Sequence, residues 1–172
     1  SYLNFPGSDE VIYHEGIYVG YRYYDKKEIR PMFPFGYGLS YTQFEYSNMT
    51  ADKDSINEGE PLTVCADVRN IGLVDGYETV QFYVRDIASS VDRPVRELKG
   101  FEKVFLRAGE KKTVSIRLDS RAFSYWDEKS HRWAVESGKF EISAGPSSAC
   151  LPLSVTVGVK SINPPVRILT RY

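Results

Sequence analysis

Two histidines, two cysteines and a scatter of carboxylates are the side chains of this 172-residue chain with the clearest capacity for chemistry. His14 precedes Glu15, but the second histidine that would make a zinc-binding pair is missing, and His131 stands apart. A Ser–His–Asp triad is set by geometry rather than by chain order, so composition alone does not remove it. Cys65 and Cys150 are too few for a disulfide scaffold or a cysteine-based zinc site. They read as free thiols, mostly buried. Among the carboxylates, Glu15, Asp25, Glu28, Asp92, Glu97, Asp127 and Glu128 offer acid–base chemistry. Most carboxylates, however, alternate with Lys and Arg or sit in turns, the pattern of solvated groups or local ion pairs. No spacing nominates a catalytic pair. Gly36-Tyr37-Gly38 begins like a phosphate-binding glycine loop, but Tyr41 stands where its last glycine belongs. Gly38-Leu39-Ser40-Tyr41-Thr42 begins like a nucleophile elbow and ends in Thr42 instead of glycine. These glycines read as tight turns between packed rings. The residues therefore nominate no catalytic group, no metal and no cofactor. Tyr125, Trp126 and Trp133 have the flat faces that stack on sugar rings, and Trp126 and Trp133 are the candidates for that role; they could equally cover the end of a hydrophobic core. Asn48-Met49-Thr50 has the form of a glycosylation acceptor.

The elements that must carry these residues divide the chain in two. Residues 1 to 46 hold 13 of the 24 aromatic rings. Yet this leader is mostly Pro/Gly-punctuated, with one stretch that reads as a strand, residues 16 to 24. There Ile17, Val19, Tyr21 and Tyr23 alternate with Tyr18, Gly20, Arg22 and Tyr24. So short a segment does not support a core alone, and its rings need a partner surface. From Phe44 the pattern becomes regular. Leu62, Val64, Ala66 and Val68 alternate on one face, as do Val80, Phe82 and Val84. Val114, Ile116 and Leu118 follow, then Phe140, Ile142 and Ala144, and finally Leu151 to Val159 at every second position. Turn signals fall between them, as at Asp75-Gly76 and Ala108-Gly109. About seven such strands predict an all-β, two-sheet sandwich of fibronectin type III or immunoglobulin shape. One helical turn is expected within residues 121 to 129, capped by Ser120, with Phe123 and Trp126 three apart. The expected units are residues 1–43, a leader and linker; 44–160, the sandwich; and 161–172, an extended tail set by Pro164-Pro165. A net charge of −1 gives no reason to expect nucleic acid or an anionic membrane as partner. No apolar run is long enough to span a bilayer, and the first residues given do not have the charged-then-apolar pattern expected of an export signal.

At the leader the residues become specific. "YHEGIYVGYRYYD" (13–25) followed by "PMFPFGYGLSYTQFEY" (31–46) resembles the end of the α/β sandwich domain of glycoside hydrolases of family 3, the β-glucosidase and β-xylosidase group. "RPVRELKGFEKVFLRAGEKKTVSIRL" (93–118) and "WAVESGKFEISAGPSS" (133–148) resemble the fibronectin type III-like domain that follows it in many members. The resemblance implies a retaining hydrolase of terminal β-D-glucosyl residues. Its Asp nucleophile would lie on an N-terminal (β/α) barrel and its Glu acid/base on the α/β domain, both upstream of Ser1. No residue here matches either motif, so the chain is expected to be inactive alone. It would be a structural portion whose partner is the catalytic remainder of the enzyme, and it would meet a β-glucoside only through that remainder. Tyr21, Tyr23, Phe33, Phe35, Tyr37 and Tyr41 would then lie at the domain interface. An independent carbohydrate-binding or interaction module, or part of a β-xylosidase-type member, are the alternatives.

Overall fold

The alternating strands pair as their apolar faces require in the computed structural model, which describes residues 11–162. One sheet has three antiparallel strands: β1 (Phe44–Ala51), β3 (Leu62–Asn70) and β6 (Lys111–Leu118), in the order β1-β3-β6. The second sheet contains β2 (Ser55–Asn57), β4 (Gly76–Asp86), β5 (Glu97–Leu106), β9 (Gly138–Gly145) and β10 (Leu153–Lys160). Its order is β2-β10-β9-β4-β5. β2 is a short edge, and it pairs with β10 in parallel. Seven strands are eight to eleven residues long and form the sandwich proper. That is the number and architecture the periodicity predicts. A small hairpin, β7 (Tyr125–Asp127) with β8 (Arg132–Ala134), closes one end.

The inward residues of both sheets make one core. Leu62, Val64, Ala66 and Val68 of β3 meet Val80, Phe82 and Val84 of β4, with Phe140, Ile142 and Ala144 of β9 beside them. Phe82 and Phe140 are fully buried, and burying each such side chain contributes roughly 1.5–3 kcal/mol. Phe123 packs edge-on against Phe140 with centroids 5.4 Å apart and seals the end beneath the hairpin.

Several expectations are corrected. The stretch 16 to 24 is not a strand: Tyr21–Lys26 forms a six-residue helix, α1, behind a turn. Gly16 and Gly20 both take positive φ, 54° and 61°, which breaks the extended run at its start and its middle. Gly20 combines that φ with ψ −133°, a region open essentially to glycine alone. The turn at Ser120–Ala122 is 3₁₀, and its cap is Asp119, whose side chain accepts from the Arg121 N–H at 2.9 Å. Trp126 belongs to β7 rather than to this turn. The thiols are free, but Cys65 is only half-buried and Cys150 is exposed. Of the tail, Ser161 and Ile162 are described. Their N–H groups donate to Ser137 Oγ and Glu58 Oε2. Residues 163–172, and residues 1–10 of the leader, lie outside the described residues.

Candidate functional site

The distinguishing surface is built where the leader crosses the five-stranded sheet. Val80, Phe82 and Val84 of β4 face the core, so Gln81 and Tyr83 project from the opposite, outer face. Both are nonetheless buried, because the leader covers them. Tyr21 of α1 lies edge-on to Tyr83 with centroids 5.7 Å apart, and 5.3 Å from Phe35. Its hydroxyl accepts the Leu98 N–H of β5 at 2.8 Å. The Tyr83 hydroxyl donates to Gln81 Oε1 at 2.7 Å, and Gln81 Nε2 donates to the Pro146 carbonyl at 2.6 Å. Gly36 presses on that amide: a Cβ there would stand 2.1 Å from Gln81 Nε2, and its φ is +82°. One residue earlier, the Phe35 carbonyl accepts the Ser148 N–H at 2.9 Å.

Ion pairs reinforce this anchor. Arg96 holds Asp25 through Nε at 2.9 Å and Nη2 at 3.4 Å. Arg22 meets Glu97 at 2.9 Å, and Lys26 pairs with Asp92. Contacts with Lys26 and the Tyr18 hydroxyl hold the Asp92 carboxyl below the usual range. Asp25 and its partner Arg96 are 71 positions apart, so this pair is not a local one. Glu97 also receives Arg93 at 3.7 Å and Lys99 at 3.3 Å. Burial lowers the Lys99 pKa. The segment carrying Asp92 and Arg93 is itself fixed by buried Glu136, which accepts the Ser90 N–H at 3.0 Å and both the Ser89 and Ser90 hydroxyls.

A third anchor lies at the junction with β1. Asn70, 0% exposed, donates to the Val74 and Leu106 carbonyls at 2.8 and 3.1 Å. Its Oδ1 accepts from the Thr42 hydroxyl at 2.5 Å and the Gly72 N–H at 3.0 Å. Thr42 is thereby pulled into the sandwich while its neighbours stay outside.

Between the anchors the rings are bare. Among the described residues, 14 of the 25 exposed large apolar side chains fall before Phe44. Phe33 is 68% exposed and Tyr41 102%; Phe35, Tyr37 and Tyr23 are also exposed, and Tyr21 is the one of the six interface candidates turned into the sandwich. Phe33 and Tyr37 lean together at 5.7 Å. The apolar surface continues onto the uncovered outer face of β4 and β5. Tyr77 and Phe105 pair there at 5.1 Å, and Phe101 stands exposed. Among the described residues the leader has no closed core of its own, and its apolar rings stay open to solvent.

Trp126 and Trp133 pair across the hairpin with centroids 5.6 Å apart and planes at 67°, so they form an angle and not one flat platform. Arg121 sits over the Trp133 ring, 3.5 Å from its centroid. His14 and His131 join no metal-ligating cluster among the described residues. The anchoring roles of Asn70, Gln81, Arg96 and Glu136 have no sequence signal beyond their being polar residues.

Residues 78–148 match a fibronectin type III-like domain. The chain is 53% identical over 173 residues to the thermostable beta-glucosidase B of Acetivibrio thermocellus, covering 100% of this chain and 22% of that protein. It is 49% identical to an exo-alpha-(1->6)-L-arabinopyranosidase of Bifidobacterium breve, covering 93% and 21%. Among solved structures it is similar to the GH3 beta-glucosidase of Bifidobacterium adolescentis, with a TM-score of 0.85 and 42% identity over 91% of this chain and 23% of that one. The chain spans about a fifth of the length of the relatives it matches.

Proposed function

The chain belongs to glycoside hydrolase family 3, as a non-catalytic C-terminal portion carrying the family's fibronectin type III-like domain, and from that premise we propose that it holds the catalytic units of the whole enzyme in fixed orientation. The observation that carries this reading is the bare aromatic face of the leader, fixed by the three anchors at α1, Gly36 and Asn70. A partner that covers Phe33, Phe35, Tyr37 and Tyr41 gains roughly 1.5–3 kcal/mol for each ring it removes from water. Because the anchors hold the rings in place beforehand, little of that gain is lost to ordering the leader on association. The partner this reading names is the catalytic portion of the same enzyme.

Retaining hydrolysis needs two carboxyl groups about 5–5.5 Å apart across the scissile bond. In this reading both come from the partner, together with the sugar pocket. The whole enzyme would release terminal β-D-glucosyl residues. Relatives named for different sugars are nearly equally similar to this chain, 53% and 49% identical, as expected if this portion does not choose the sugar.

The test has two arms. The purified 172-residue chain leaves an aryl β-D-glucoside intact. Co-produced with the upstream portion of such an enzyme, it elutes with that portion on size exclusion, and the complex hydrolyses the glucoside. Turnover by the pure chain, or separate elution of the two parts, overturns the reading.

A further inference from the structure

A cleft of about 650 Å³ opens at the seam between the leader and the sandwich. Ile17 and Arg22 form its leader wall, the 91–99 segment its floor, and the β7–β8 hairpin its far wall. Its volume lies in the range of small-ligand sites, roughly 300–1,000 Å³. Four basic and four acidic side chains line it, so it carries no net charge to draw an anion or a cation. Arg22, Glu97 and Lys99 are already paired with one another's elements, which keeps their planar or tetrahedral heads fixed. Arg22 and Lys99 keep donors beyond those pairs, since a guanidinium has five and an ammonium three, and the Glu97 carboxylate offers about four acceptor sites. The hairpin adds Tyr125, Trp126 and Trp133. Arg93 already stands 5.6 Å from the centre of the Tyr125 ring, and Arg121 3.5 Å from that of Trp133. Trp126 is 47% exposed and supplies the free aromatic surface.

We propose that this cleft binds a neutral oligosaccharide, one pyranose stacking its C–H face on Trp126 while hydroxyls bond to the fixed charged heads of Arg22, Glu97 and Lys99. The chemistry selects that class. A sugar presents an apolar face and a ring of neutral donors and acceptors, the combination that an aromatic wall beside a charge-balanced polar floor satisfies. An anionic ligand would face four carboxylates, and a purely apolar one would leave the floor unsatisfied. The non-coplanar indoles limit the stacking to one ring, so binding is local to the cleft rather than spread over a flat polysaccharide surface. The proposal does not rest on the orienting role above, because it concerns the chain by itself.

The chain has only two tryptophans, both lining the cleft, so intrinsic indole fluorescence reports on this site alone. Titration of the 172-residue chain with cellotetraose, and separately with xylotetraose, is expected to shift or quench the emission saturably with at least one of them. Calorimetry with Trp126→Ala is expected to show about tenfold weaker binding, the equivalent of one lost stacking contact. Its urea midpoint should stay near that of the unchanged chain, because the ring is half exposed. Should Trp126→Ala fail to fold, Trp126→Phe keeps a smaller ring and should bind with intermediate affinity. No saturable change with either sugar at millimolar concentration, or undiminished binding by the variants, overturns the proposal.

Discussion

Asn70 joins the leader to the sandwich, and removing its amide gives the sharpest test of how the junction is held. Asn70→Ala deletes four hydrogen bonds, to Val74, Leu106, Thr42 and Gly72, at a position with no solvent exposure. A typical intramolecular hydrogen bond contributes about 1 kcal/mol net, and a buried group left without its partner costs about 1–3 kcal/mol. The four together are therefore worth about 4 kcal/mol, at the upper end of what single substitutions do. With a urea dependence of about 2 kcal/mol per molar, the unfolding midpoint should fall by about 2 M. Thr42→Val is the control, because it removes only one of the four and should cost about 1 kcal/mol. Urea denaturation followed by far-UV circular dichroism measures both. Amide exchange at Ile71, whose N–H donates to the Gln43 carbonyl at 2.8 Å, should quicken in Asn70→Ala as the junction loosens. A loss below about 1 kcal/mol for Asn70→Ala, or equal losses for the two variants, would refute the idea that one buried amide fixes the junction.

Three further outcomes follow from the geometry. Tyr21→Phe leaves the Leu98 N–H without its acceptor, so hydrogen exchange at Leu98 should rise and stability fall by about 1 kcal/mol. Asp67, which accepts from Lys111, Thr113 and Asn48, has its pKa lowered to about 2; its contribution is present above the unfolded carboxylate value and is lost as pH falls through about 4 toward 2. The stability advantage over Asp67→Asn, read from urea curves at a series of pH values, should shrink to nothing across that window. Glu78 behaves oppositely: burial raises its pKa and the hydrogen bond from the Tyr46 hydroxyl at 2.5 Å only offsets part of that, so its stabilising protonated form is lost as pH rises. Glu78→Gln keeps an acceptor for Tyr46 and sheds the charge, so it should match the unchanged chain in acid and exceed it at neutral pH; equal stability at both would show that the carboxylate is not strained by burial.

The sandwich is legible in the sequence wherever a strand keeps strict alternation between core and exterior, as β3, β4 and β9 do. β5 is less so, because its register with β4 shifts between Phe82 and Tyr83. The shift puts Leu98 on the outer face and Val104 and Leu106 on the inner, so no single period runs through it. The leader misleads for another reason. Ile17, Val19, Tyr21 and Tyr23 alternate like a strand, but backbone torsion at Gly16 and Gly20 decides the path, and a glycine's torsion is not written in its letter. The excess of rings before Phe44 does signal a surface in want of a partner, since so many aromatics cannot cover one another in so short a segment. The anchors are invisible beforehand. Asn70 reads as the start of a turn, and its four partners come from positions 42, 72, 74 and 106, which only the folded chain assembles.

The central claim is that the leader rings are exposed here and covered in the whole enzyme. Comparing Phe33→Ser/Tyr41→Ser in the 172-residue chain and in a complete enzyme carrying it measures that directly. In the chain alone the unfolding midpoint should stay within about 0.5 kcal/mol of the unchanged protein, as for surface positions. In the complete enzyme the same pair should cost roughly 3–6 kcal/mol, at roughly 1.5–3 kcal/mol for each ring, and lower the temperature of inactivation. Equal losses in both, or none in the complete enzyme, would contradict it.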